Sequence, residues 1–290
     1  MNERTASAIL SVSADIWIRN LEFDTRRTAR RLVELGGLFS SGAKQRRFFQ
    51  LAGALLENRS SEYYTLLRSL CRETDANALK TFGLALGYHT LSRGAIKRRA
   101  AWESGVPNVS FASFQYGARA DSLRRAVCEN APRGTMAYLV FPDAQADADA
   151  LADVIRAYRN CAFLVFGELR TPQTNLSLNA MRFLPYRQVL DGIRPKSGGL
   201  YGAFAAFDAA SLENDLSSAR LMSLSEADCR FYVLTAKPGV SQATLARAGA
   251  AVSRLRSKLP CPLFPVSLET DVRFVDAPVP QFLPQFAGAL

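Results

Sequence analysis

"CRFYVLTAKPGVSQATLARAGAAVSRLRSKLPCPLFPVSL", residues 229–268, holds the unit from which the fold is read. An apolar run, CRFYVL, passes through a Pro238-Gly239 turn to Ser241, whose hydroxyl suits the first position of a helix. SQATLARAGAAVSRLRSKL then runs at helical length, and a second apolar run, PLFPVSL, closes the unit. Neither run alternates apolar with polar residues. That is the composition of a strand whose sheet is covered by other elements on both faces.

The same unit recurs upstream. NVSFASF precedes ADSLRRAVCEN, MAYLVF precedes DADALADVIRAYRN, AFLVFG precedes LNAMRFLPYRQVLDGI, and LYGAFAAF precedes SLENDLSSARLM, each read as a strand followed by a helix. At least five repeats of this order predict a parallel α/β sheet, best fitted by a full or partial (β/α) barrel and next by an open doubly wound sheet. FGLALGY, residues 82–88, fits either a first strand or the end of a buried helix, and the basic helix SRGAIKRRAAWE follows it. No G-x-G-x-x-G or G-x-x-x-x-G-K-[ST] stands at a strand end, which counts against dinucleotide and P-loop binding.

Before residue 81 the pattern is helical. TRRTARRLVELGGLF places Ala29, Leu32, Val33 and Leu35 on one stripe, with Gly36-Gly37 as the expected stop. AKQRRFFQLAGALLEN gives a second helix, SEYYTLLRSLCRE a third capped at Ser60-Ser61, and DANALKTF a fourth capped by Asp75. The expected organisation is a basic helical region over 1–80, a barrel-like domain over 81–276 and a Pro-rich segment over 277–290. That last segment is read as a strap packing Phe282 and Phe286 on the barrel, or as a partner-binding tail.

With 290 residues and 48% hydrophobic content the chain can bury a sizeable core. It has no apolar run of membrane-spanning length, and acidic residues interrupt its N-terminus where a signal peptide needs an apolar block. The expectation is a soluble, cytoplasmic protein without membrane contact. The five cysteines are at least 32 residues apart and include no C-x-x-C, so they read as reduced core residues rather than metal ligands. Net charge is +10, and residues 1–100 hold 17 Lys and Arg against 9 Asp and Glu, or +8 of it. RRTARR, KQRR and KRR would attract nucleic acid, an acidic peptide or an anionic surface; helical spacing alone also explains them as a solvated face.

Barrel enzymes carry their chemistry at the C-terminal ends of the strands. Those ends hold Ser113 and Gln115, Asp143, Gly167 and Glu168, Asp208, Thr235 and Lys237, then Glu269 and Asp271. Such a set could supply acid and base, or hold a polar or cationic ligand. Asp143 and Asp208 equally suit capping of the next helix. Glu168 leads into a loop instead, and Lys237 in its Pro-Gly turn faces an anion or solvent. His89, the sole histidine, would have to anchor any Ser-His-Asp triad or histidine metal site; it also fits a structural role where the helical region meets the barrel.

Taken together and in order, TFGLALGYHTLSRGAIKRR, SGVPNVSFASF, AYLVF, CAFLVFGE, GGLYGAFAAFD with the following Asn214, CRFYVLTAKPGV and AAVSRLRSKLPCPLFPVSLETDVRFV resemble the landmarks of one branch of the radical SAM superfamily, over residues 75–276. The resemblance implies a barrel whose last stretch is a helix, a strand and a further strand at VRFV. It also implies a C-x-x-x-C-x-x-C loop after the first strand, whose three thiolates hold a [4Fe–4S] cluster. Here that loop reads QYGARADSLRRAV, with no cysteine before Cys128. FPDAQAD stands in place of the superfamily's glycine-rich G-G-E stretch, and no cysteine-rich extension follows DVRFVDAPVPQF.

The resulting expectation is a cluster-less, radical SAM-like barrel without a cofactor of its own. It would act as a binding or accessory subunit that presents a substrate or protein partner in a homo- or hetero-oligomer, and would not cleave S-adenosylmethionine. Gln115, Tyr116, Gly117 and Arg119 occupy the vacated loop and would touch whatever the mouth receives, with Asp143, Glu168, Asp208, Lys237 and Glu269 around them. Two alternatives stand beside it. One is an enzyme of acid/base chemistry using Glu168, Lys237 or His89; the other is a nucleic-acid binder using the N-terminal arginines with Tyr63 and Tyr64.

Overall fold

Seven parallel strands lie side by side in their order along the chain: β1 (Phe111–Tyr116), β2 (Ala137–Pro142), β3 (Ala162–Phe166), β4 (Ala180–Pro185), β5 (Leu200–Phe207), β6 (Phe231–Ala236) and β7 (Phe264–Ser267). They curve into a half-barrel. In the computed structural model, residues 3–38, 43–103, 105, 109–117, 120–169, 176–195 and 198–276 are described. Arg119 and the 277–290 segment lie outside them. No helix among the described residues is long and apolar enough to cross a membrane.

The unbroken apolar runs follow from a sheet packed on both sides. On the convex side, alternate residues of β2 and β3 (Tyr138, Val140, Phe163, Val165) meet Leu123 and Val127 of α7 (Ala120–Asn130) and Leu151 and Ile155 of α8 (Ala148–Ala157). Further along, Ala203, Ala205, Phe207, Tyr232 and Leu234 meet Leu221 and Leu224 of α11 (Ser218–Glu226) and Leu245, Ala248 and Val252 of α12 (Gln242–Ser257). Between them, α9 (Tyr186–Leu190) and the single turn α10 (Leu212–Asp215) follow β4 and β5.

The other strand faces form a concave core of Leu139, Phe166, Met181, Phe183, Leu200, Phe204 and Val233. In a closed barrel such side chains fill the lumen from all sides. Here the helical region fills it. Among the described residues six α-helices precede β1: α1 (Glu3–Phe23), α2 (Thr25–Leu38), α3 (Ala43–Leu55), α4 (Glu62–Glu73), α5 (Ala76–Gly83) and α6 (Gly94–Glu103). Between α5 and α6 the chain widens into a π-helical segment, Leu84–Arg93, and Phe82 and Ala85 sit in the concave core with Leu268 and Val272 of α13 (Leu268–Asp276). FGLALGY is therefore the buried helix end rather than a strand.

Glu73 ends α4 in a paired contact with Arg230 at the foot of β6 (2.8 and 2.6 Å), and Asp75 N–H donates to Gly198 O (2.9 Å) at the foot of β5. Tyr63 donates its hydroxyl to Arg256 O (2.8 Å). These bonds fasten the helices to the sheet.

Several local expectations need correction. LNAMRFLPYRQVLDGI is not one helix: residues 180–185 form β4, and Pro185, which has no N–H to continue a helix from within, stands at the N-cap of the short α9. VRFV is helical, because Leu268 and Val272 lie one turn apart and both face the concave core. Gly36-Gly37 do not stop α2, which runs to Leu38; Gly36 is where the Phe49 ring of α3 lies, and a Cβ there would come within 2.2 Å of it. Ser61 holds the cap position of α4 without a side-chain cap bond, whereas Asp75 accepts from Asn77 and Ala78 N–H.

Candidate functional site

The C-terminal ends of β1 to β6 surround a cavity of about 230 Å³. Its wall is built by strand ends that the sequence leaves apolar. Phe141 stands one residue before the end of β2 and Phe166 ends β3, with the two rings stacked 5.1 Å apart; Phe204 of β5 meets Phe166 edge-on at 5.9 Å. Pro142, Pro185 and Pro238 complete the apolar surface, and Gln115, Glu168 and Thr235 supply its polar groups. A volume below the ~300 Å³ of common ligand pockets suits one small group or one side chain.

The predicted residues disperse around this mouth. Gln115 points into it, because odd-numbered residues of β1 face the concave side. Tyr116 faces the other way. Its ring is buried against α7 and α8, its hydroxyl donates to Asp147 O (3.0 Å), and burial pushes its pKa up to about 12. The expectation that Tyr116 touches a ligand is corrected by strand alternation.

Asp143 is exposed, and its Oδ1 accepts from Gln145 N–H (2.8 Å), closing the turn after β2. The N-cap of α8 is Asp147, accepting from Asp149 and Ala150 N–H. Asp208 likewise closes the turn after β5, accepting from Ala210 (3.0 Å) and Ser211 (2.9 Å) N–H. Its other oxygen accepts from Lys237 Nζ at 2.7 Å, so each engages the other. The lysine, with those backbone donors, draws the Asp208 pKa down to about 2.

Glu269, in the first turn of α13, is buried behind β6: Oε1 accepts from Ala236 N–H (2.7 Å), Oε2 has no hydrogen-bond partner among the described residues, and burial raises its pKa. Asp271 pairs with Arg256, whose Nη1 lies 2.9 Å away, and accepts from Ser267 N–H. His89 is half-buried in the π-helical segment, edge-on to Tyr88 at 5.1 Å, and is not among the cavity's lining residues. Only Glu168 among the expected carboxylates lines the cavity; it accepts from Gln188 of α9. Thr235 also lines it, its hydroxyl 3.4 Å from Ala205 O.

The donors do not fit an iron–sulfur cluster. Only residues 117–119 separate β1 from α7, and three residues cannot place three thiolates around one cubane. Cys161, Cys229 and Cys261 are buried just before β3, β6 and β7, at the opposite end of the strands from the cavity. Burial raises the thiols of Cys161 and Cys229 to about 12, which keeps them protonated, and Cys128 is exposed on α7. Among the described residues no group of three or more His, Cys, Asp or Glu could hold a metal ion.

The phenylalanine wall is not among the strand-end residues expected from the sequence. A signal was present in the sequence: MAYLVF and AFLVF both end on phenylalanine, and GAFAAF carries Phe204 two residues past the level of Phe166 and Phe183. Comparison with known proteins found no matching family model, no matching curated protein and no matching solved structure.

Proposed function

We propose that the chain is a binding or accessory protein on a radical SAM-like half-barrel, which receives one apolar group of a substrate or protein partner in its mouth and does not cleave S-adenosylmethionine. The observation that carries this reading is the cavity itself. Its wall is phenylalanine and proline with one carboxylate, Glu168, while the others that a titratable pair would need are held elsewhere: Asp143 and Asp208 by turns, Asp208 again by Lys237, Glu269 by a buried N–H.

An apolar cavity with a few convergent polar groups binds and orients. Gln115 and Thr235 can hydrogen-bond a polar head whose apolar body lies against Phe166 and Phe204, and Glu168 can accept from it. General acid/base work would instead need a titratable pair within reach of one reacting atom.

The test is reconstitution. Purified protein incubated anaerobically with iron, sulfide, a reductant and S-adenosylmethionine is expected to gain no [4Fe–4S] absorbance and to release no 5′-deoxyadenosine. A cluster spectrum accompanied by cleavage would overturn the reading.

A further inference from the structure

Large apolar side chains stay exposed on the first three helices: Val12, Ile16 and Phe23 on α1, Leu38 ending α2, and Phe48 and Leu51 on α3. On α3 the reason is legible. One apolar face is already covered, with Phe49 against Gly36 and Gly53 against Val33 of α2. Phe48 and Leu51, three residues apart on another face, remain 60% and 56% exposed. On α1, Leu21 enters the core shared with α2 and α4, whereas Val12 and Ile16 are one turn apart on an uncovered side. The same helices are basic: Arg27, Arg30 and Arg31 on α2 and Arg46 and Arg47 on α3 are exposed, Arg47 one turn from Leu51, and Arg26 lies over the Tyr64 ring of α4 at 5.8 Å.

We infer that α3, on the side turned away from α2, forms with the arginines of the α2–α3 pair a docking face for an acidic amphipathic helix of another protein. This names the kind of partner that the accessory reading requires, and it rests on that reading. Apolar residues at helical spacing suit the seam between two helices, the partner's apolar stripe lying on Phe48 and Leu51. The bordering arginines favour carboxylates, which their planar donors pair with in a fixed geometry.

A second copy fits poorly, since it would bring the same arginines against each other. A lipid surface fits less well because the broad apolar face of α3 is engaged with α2, leaving a stripe rather than a face to insert. For nucleic acid, the exposed rings Phe23 and Phe48 stand on different helices among the aliphatic Val12, Ile16, Leu38 and Leu51, so successive bases find no continuous stacking surface.

The probe is a labelled, acetylated peptide of about three heptads with leucine at the apolar positions and glutamate elsewhere. Its lysine counterpart and vesicles of equal parts phosphatidylcholine and phosphatidylserine serve as comparisons. The full chain is expected to bind the glutamate peptide about tenfold tighter than the lysine peptide at low salt, and to lose most of that preference at high salt. Phe48→Ser with Leu51→Ser, and separately Arg46→Glu with Arg47→Glu, should weaken binding about tenfold with an unchanged melting temperature.

Equal binding of both peptides, no binding of either, or capture by vesicles in place of the glutamate peptide would overturn the proposal. Entry of N-acetyl-L-phenylalaninamide into the mouth is measured on the same variants. Its persistence when peptide binding is absent would sink the docking face alone, and its absence would sink the reading of the mouth.

Discussion

Glu269 shows how a carboxylate at a strand end can be structural without being solvated. Its Oε1 holds Ala236 N–H in a bond that fixes the end of β6, while burial disfavours its charge and leaves Oε2 unpaired among the described residues. Its pKa is raised in the folded state. The ionised group therefore opposes folding as pH climbs from the ordinary glutamate range, about 4.3, through the folded value, and stability is lost over that window. Glu269→Gln keeps an acceptor for Ala236 and removes the charge, so chemical denaturation at neutral pH is expected to show equal or higher stability and a flatter acid-side profile. Glu269→Ala leaves the N–H unpaired and should cost about 1–3 kcal/mol. A glutamine variant less stable than the alanine one would contradict this account.

At the scale of elements, each strand's two faces see different neighbours. Gly202 in β5 faces the concave core, where a Cβ would come within 2.7 Å of Phe231 O and 2.8 Å of the Phe183 ring. Gly202→Ala should therefore force β5 away from β6 or turn Phe183 off Phe166, with an expected loss of about 1–3 kcal/mol in denaturant unfolding. An unchanged midpoint would show that the core yields more easily than its spacing implies.

The β1, β2, β3, β5, β6 and β7 strands were legible as apolar runs closed by turn residues. β4 was not, because AMRFLP carries Arg182 in its middle; that side chain is buried, where a solvated helix face would leave an arginine exposed. Pro185 was the signal that separates strand from helix there. The orientation of Tyr116 followed from strand alternation once the register with β2 was known, and register is a property of the pairing rather than of β1 alone.

Over the whole molecule the helical region and the sheet complete one another. Seven strands in chain order leave the concave side open, and Phe82 and Ala85 close it from a helix that precedes the sheet in sequence. Length and composition gave no means of foreseeing that closure, because it depends on contacts between residues about 80 and residues 139–233. Closure at one end leaves the other as a small mouth lined by Phe141, Phe166 and Phe204. The central claim is that this mouth binds an apolar group by shape and ring contact.

The direct measurement is a titration with N-acetyl-L-phenylalaninamide, followed by two-dimensional NMR, on the wild-type chain and on Gln115→Trp, whose indole would enter the cavity from the concave face of β1. The account predicts saturable shifts centred on Gln115, Gly167, Glu168 and Thr235 in the wild type, and their loss in the variant. Shifts that persist in Gln115→Trp, or none in the wild type, would contradict it.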